Sequence, residues 1–302
     1  MKAKFEDICR MSQKKLKKYV KNQLKETHEN VISEDGFVYA QGKFPVLLVA
    51  HLDTVHINLP TTIIHDGDKI SSPNGIGGDD RCGVYMILEI IKKYHCSVLF
   101  CEDEEKGCIG AGKFIETELA RELQGQFNYI IEFDRKGKND AVFYDCGNAE
   151  FEEFITKEYF ATAEGIFSDI STVAPFLGCA AVNLSCGYYK AHTNDEYVVF
   201  SEMEKSIKEA MKILARTTDE KFEYIEEPRK FYGYDGYSWI NYYANDDGEG
   251  NYIICYLDYC SEEALYETYA KSRVEAIGAF CIDNPYSCVS DIVDIYCEEV
   301  VL

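Results

Sequence analysis

No stretch of this 302-residue chain approaches the roughly eighteen consecutive apolar residues that a bilayer-spanning helix needs, and no basic segment precedes an apolar run at its N-terminus. A membrane anchor and a secretory leader are not expected, and a cytoplasmic location is. Basic residues are scarce beside acidic ones: 31 Lys and Arg face 53 Asp and Glu, a formal charge of −22. Phosphate backbones are bound by Lys and Arg, so nucleic acid is excluded as a partner. No two of the 13 cysteines stand in a CxxC pair, which argues against a cysteine-type structural zinc site. The cysteines are spread along the chain, some in strand-like runs (Cys101, Cys255), and read as reduced, buried thiols rather than a disulfide scaffold. There is no internal repeat and no low-complexity segment.

What is present suits a globular protein, since 46% hydrophobic residues can fill a core. Charge and aromatics are unevenly placed. Residues 219–302 hold nineteen acids and five bases, hence −14 of the −22, with thirteen of the 23 tyrosines and the only tryptophan, Trp239. That composition is too aromatic for a disordered acidic tail. We therefore expect two domains, residues 1–218 and a small α+β domain over 219–302.

Apolar periodicity predicts alternating strands and helices. Residues 5–26 show one amphipathic helical pattern whose lysines (Lys14, Lys15, Lys17, Lys18, Lys21) read as a solvated face. Phe44–Ala50 is a continuous apolar run ending at His51, as in a buried parallel strand. Residues 61–72 read as a hairpin turning at Asp66-Gly67-Asp68, 81–94 as helix, 97–101 as strand, 109–123 as helix and 128–133 as strand. Beyond them come strand 141–145, helices 148–158 and 168–176, strand 180–185 and helix 201–216. In the last domain, 251–257 reads as strand, 261–279 as helix and 289–301 as strand. The fold class expected is α/β, a three-layer sandwich with a central mixed, mainly parallel sheet.

The polar residues with chemistry sit where these strands end. In His51-Leu52-Asp53 the two polar side chains leave the strand on one side, so Asp53 can support the imidazole. Asp79 and Asp80 lie between glycines and a helix start, which fits a metal bridge, a helix cap, or both. Glu102-Asp103-Glu104-Glu105 follows a strand, and four adjacent acids repel one another unless cations sit among them. Asp134 and His192 complete a series with terminal imidazoles, capping carboxylates, a bridging carboxylate and one acid left to take a proton, the needs of a two-metal hydrolase. Glu132 competes with Asp134, because both project to one face two residues apart; Asp134 is preferred for lying beyond the apolar run. His56, His65 and His95 have no acids at ligand spacing and read as surface or hairpin histidines.

The segments HLDTV, GGDDRCG, EDEEKGCIGAG, IIEFDR and AHTNDEYV resemble the motifs of the co-catalytic zinc peptidases of the M20, M28 and M42 families. The resemblance spans residues 51–197. It implies that His51 and Asp134 are terminal ligands of one zinc, Glu105 and His192 of the other, and that Asp79 bridges them. It further implies that Asp53 orients His51, that Glu104 is the general base, and that the peptide after Asp79 is cis. Two Zn2+ ions are the expected cofactors, with Co2+ or Mn2+ as substitutes. Arg81 stands where many relatives have Lys or Asn, a change not expected to matter to the metals.

M20 enzymes usually insert a lid and dimerisation domain before the last histidine. Here only 57 residues separate Asp134 from His192, and they already read as strand, helix, helix and strand. The expectation is a lidless peptidase acting on the N-terminal residue of short peptides. The alternatives are an N-acyl-amino-acid or dipeptide amidohydrolase and, in a different class, a non-catalytic metal-binding scaffold. The implied partners are a short peptide or acylated amino acid, with neither nucleic acid nor membrane, and a homo-oligomer is compatible. The C-terminal stretch could cover the cleft or serve assembly, and the sequence leaves both open.

Overall fold

In the computed structural model of the chain, the described residues are 2–165, 167–225, 250–257, 263–270, 273–284 and 292–298. They form two compact units, residues 1–104 with 108–226 and residues 227–302 with 105–107. In chain order the strands are β1 (Val31–Glu34), β2 (Phe37–Ala40), β3 (Phe44–His51), β4 (Ile64–Asp66), β5 (Lys69–Ser71), β6 (Cys96–Cys101), β7 (Tyr129–Arg135), β8 (Asp140–Val142), β9 (Ala161–Thr162), β10 (Ala181–Ser185), β11 (Tyr188–Tyr189), β12 (Tyr197–Val199), β13 (Gly250–Leu257), β14 (Glu263–Ala270) and β15 (Ile292–Glu298). The helices are α1 (Lys2–Cys9), α2 (Gln13–Lys25), α3 (Gly78–Ile90), α4 (Ile109–Ile115), α5 (Glu118–Leu123), α6 (Ala149–Thr156), α7 (Asp169–Leu177), α8 (Phe200–Arg216) and α9 (Arg273–Asp283).

An eight-stranded sheet, ordered β1-β2-β6-β3-β7-β10-β8-β9, organises the larger unit. Its four inner strands, β6, β3, β7 and β10, run parallel, while β1, β2 and β8 pair antiparallel with their inner neighbours. Both faces are covered, which is why β3 reads as an unbroken apolar run. Val46, Leu48 and Ala50 enter the core on one face with helical residues such as Tyr85, Leu16 and Met203, and Leu47 and Val49 enter the other core with Phe114, Val173 and Leu177. The expected α/β sandwich with a mixed central sheet is the fold observed. Parallel inner strands all point their C-terminal ends one way, so the residues closing β3, β6 and β7 arrive on one rim.

Several expected elements differ. The pattern over 5–26 is two helices, broken at residues 10–12, because Ser12 is extended and caps α2. The apolar stripe resumes in phase after the break, so periodicity concealed it. Residues 109–123 likewise split at Thr117, which leaves the helix and accepts a hydrogen bond from the Ala120 amide at 3.1 Å. Lys17 is not on a solvated face: its ammonium pairs with Glu102 and donates to the Glu34 carbonyl at 2.5 Å. Eight described cysteines, among them Cys9, Cys82 and Cys101, are free and buried.

Within residues 227–302, the described part is a sheet ordered β14-β13-β15, all antiparallel, packed with α9 around Tyr252, Ile254, Ile277 and Phe280. The helix expected over 261–279 is strand β14 followed by α9. Leu265, Glu267 and Tyr269 are exposed while Tyr266 packs inward, a period of two imposed by pairing with β13. Trp239 lies outside the described residues. Residues 219–225 run with the larger unit, where Phe222 is buried against Tyr129 and Phe151 and its carbonyl accepts from the Ala180 amide at 2.8 Å. Among the described residues no helix is long and apolar enough to cross a membrane.

Candidate metal centre

His51 closes β3 and is 1% exposed. Its Nδ1 lies 3.1 Å from Asp53 Oδ1, and the same carboxylate oxygen accepts the Glu104 amide at 3.0 Å. One acid therefore fixes both the imidazole and the start of the acidic loop after β6. On the other side of the ring, Nε2 lies 3.0 Å from Asp79 Oδ1, 3.4 Å from Asp134 Oδ1 and 4.0 Å from Glu104 Oε2. The second oxygen of Asp79 faces His192 Nε2 at 3.2 Å.

Asp79 and Asp80 open α3 without helical dihedrals, and the peptide between them is cis, as the resemblance implies. Asp80 is fully buried and does two jobs, accepting the Gly83 amide at 2.7 Å and the His51 amide at 3.2 Å. It caps the helix and pins the end of β3 together. His192 lies in a turn with φ of 63°, a left-handed conformation that few non-glycine residues adopt.

Asp134 sits at the C-terminal end of β7 in a scaffold that sequence reasoning missed. Ser168 donates to its Oδ2 at 3.2 Å and Tyr188 to its Oδ1 at 3.4 Å, while Asn183 accepts its amide at 2.8 Å and donates to its carbonyl at 3.1 Å. Burial and the neighbouring Asp79 push the Asp134 carboxyl up to about 7. His51, although its burial opposes a charge, is held well above the ordinary histidine range by Asp134, Asp53 and Asp79. Burial works against the Asp79 charge too, yet contacts with His192 and His51 hold it well below the usual carboxylate range. Glu132, the rival of Asp134, is wholly buried, its carboxyl raised by burial and then by Asp134 and Asp169.

Among the described residues, three sets of side chains have donor atoms close enough to share an ion: His51 with Asp79 and Asp134; Asp79 with Glu105 and His192; and His51 with Glu104 and Glu105. Glu132 is in none of them. The donor set fits a pair of divalent cations. Two imidazoles and four carboxylates converge, Asp79 belongs to two sets and offers a different oxygen to each imidazole, and the shared negative charge calls for cations. Within the acidic loop, Glu102 turns to Lys17 and the Gly36 amide and Asp103 takes the Gln13 side chain, whereas Glu104 and Glu105 belong to the ligand sets.

Arg81 is 1% exposed and donates through Nη1 to the carbonyls of Leu52 at 2.5 Å and Asp53 at 2.8 Å, and through Nη2 to that of Met11 at 3.2 Å. His56 is not a surface residue. Only 7% of its side chain is exposed, and its Nε2 lies 2.7 Å from Glu196 Oε2. That partner is 140 positions away, so no local series could reveal it. His65 does lie in the exposed β4–β5 hairpin, 3.1 Å from Glu6, whereas the half-buried His95 stacks on His28 with ring centroids 4.3 Å apart.

The family model of Peptidase family M28 matches residues 30–177, which carry β2, β3, β6 and β7 with all of the acidic candidates. The match agrees with the resemblance to zinc peptidases read from the motifs. Aminopeptidase PepT from Bacillus cereus is similar in structure, with a TM-score of 0.57 at 14% identity, covering 70% of this chain and 96% of that one. A tripeptidase from Staphylococcus aureus gives 0.55 at 13% identity over 70% and 97%, and an aminopeptidase from the archaeon Desulfurococcus kamchatkensis gives 0.52 at 14% over 70% and 94%. These likenesses establish the shared fold. No curated protein matches the chain in sequence.

Proposed function

We propose that this chain is a peptidase with two metal ions, zinc in the first instance, that removes the N-terminal residue from short peptides. The observation that carries the reading is the carboxylate of Asp79 set between two imidazoles, Oδ1 at 3.0 Å from His51 and Oδ2 at 3.2 Å from His192. In this reading His51 and Asp134 would hold one ion, Glu105 and His192 the other, and Asp79 would serve both. When bound, such a pair supplies Lewis-acid activation of water and of the scissile carbonyl. Glu104 takes the proton from the attacking water and returns it to the leaving amine. Asp53 keeps the His51 ring and the Glu104 backbone in register with each other. The aminopeptidase names of PepT and of the D. kamchatkensis enzyme support the choice of bond, and the charge of −22 favours a substrate with a free cationic amine over one with a free carboxylate.

The test is a panel of aminoacyl, dipeptide and N-acyl-amino-acid substrates, each assayed after loading with zinc, cobalt or manganese. Cleavage of aminoacyl substrates that N-acylation blocks is the expected result. Hydrolysis confined to N-acyl amino acids would replace the proposal with a deacylase, and no turnover with any metal despite full loading would make the chain a binding protein.

A further inference from the structure

Glu196 is fully buried, yet it lies four residues beyond His192 and belongs to none of the ligand sets. Its carboxylate is occupied from three sides. Oε1 accepts the amide of Asp79 at 3.1 Å; Oε2 accepts the amide of Gly77 at 2.7 Å and meets His56 Nε2 at 2.7 Å. Two of these contacts fall on the backbone at and beside Asp79, and the third on the side chain of His56. His56 is five residues beyond His51 on the chain leaving β3, and its ring lies so close to Gly75 that any side chain there would collide with it. Gly77 adopts a left-handed φ of 67°, and a Cβ on Gly78 would come within 2.8 Å of Tyr188 and 2.9 Å of Val198. The turn from 75 to 79 is thus held by His56 and Glu196 and leaves no space for drift.

We propose that Glu196, backed by His56, is a positioning residue that sets the bridging carboxylate of Asp79 relative to the two imidazoles. The pair joins the segment that brings His51 to the segment that brings His192, and the main chain of Asp79 is fastened at their junction. Asp79 turns one oxygen to each imidazole and belongs to two ligand sets, so a small rotation of its backbone would disturb both sets at once. Groups that orient ligands in this way typically alter metal affinity by about 10–100-fold when removed. The inference rests on the two-metal reading above.

The experiment measures zinc affinity by competition with a chelator, on the full chain, for wild type, Glu196→Gln, His56→Ala and His56→Gln, each checked for a native circular dichroism spectrum. Glu196→Gln must turn an N–H donor toward a backbone N–H donor, and His56→Ala leaves Oε2 with the Gly77 amide alone. Both are expected to bind zinc about 10–100-fold more weakly. His56→Gln can still donate to Oε2 and is expected to recover most of that loss. A purely structural contact would lower the unfolding midpoint of the metal-free variants and leave zinc affinity unchanged, and folded variants of wild-type affinity overturn the proposal. If Glu196→Gln fails to fold, the two His56 variants decide alone. Wild type that binds fewer than two zinc ions refutes the two-metal reading and this inference with it, whereas two ions in wild type with unchanged variants refute the inference only.

Discussion

Arg81 donates to the main-chain carbonyl of Asp53 at 2.8 Å, so a buried cation holds the backbone whose side chain in turn holds His51. The same guanidinium reaches Leu52 and Met11, tying the break between α1 and α2 to the exit of β3. Because a guanidinium is a rigid fork and an ammonium a single point, Lys cannot serve three carbonyls spread in this way. Arg81→Lys should therefore lower unfolding stability by about 1–3 kcal/mol, the usual penalty for leaving a buried polar group unsatisfied. Urea denaturation of the two proteins checks this, and equal midpoints would show that the fork is dispensable.

Within the acidic loop, Glu104 and Glu105 are proposed to do different work. Glu104→Gln preserves shape but removes the base, so metal content should survive while kcat falls by roughly two to four orders of magnitude. Glu105→Gln should instead lose metal. Metal analysis beside steady-state kinetics separates the two, and the reverse pattern would exchange the roles.

Metal removal gives a third outcome. Dialysis against a chelator should abolish peptide hydrolysis, and zinc should restore it as the second equivalent is added, because Asp79 is shared between two ligand sets. Full activity at one equivalent, or activity that survives chelation, would contradict the two-ion reading.

The His28–His95 stack predicts a pH effect far from the centre. His28 Nε2 meets the Cys96 carbonyl at 2.9 Å, and burial, with His95 against its face, holds its pKa below 6.5. Below about pH 6.5 the unfolded chain takes up a proton that the folded chain refuses, so this site's contribution to stability falls with falling pH, by at most about 1.4 kcal/mol per pH unit. Glu132 and Asp80, raised by burial, act in the opposite sense. The informative quantity is thus the difference between wild type and His28→Gln. That difference should shrink between pH 7.5 and pH 5.5, and a constant gap in urea midpoints would remove His28 from the pH response.

Much of this molecule was legible in the chain because its inner strands are buried on both faces. Burial writes them as unbroken apolar runs, and each run ends in the polar residue that reaches the rim: His51 after β3, the acidic loop after β6, Asp134 on β7. The order of the candidates follows from that chemistry alone, and the described residues between Asp134 and His192 are taken up by the end of β7, β8, α6, β9, α7, β10, β11 and their links. What tertiary structure alone decided is pairing. An apolar stripe in phase on both sides of residues 10–12 hides the break between α1 and α2, and an ambiguous run such as 263–270 becomes a strand because β13 offers it hydrogen bonds. The contacts that fix the centre join residues remote in sequence, 85 positions for Lys17 and Glu102 and 140 for His56 and Glu196. A buried charge needs a partner wherever the fold can bring one, and no local pattern in the sequence records which residue that will be.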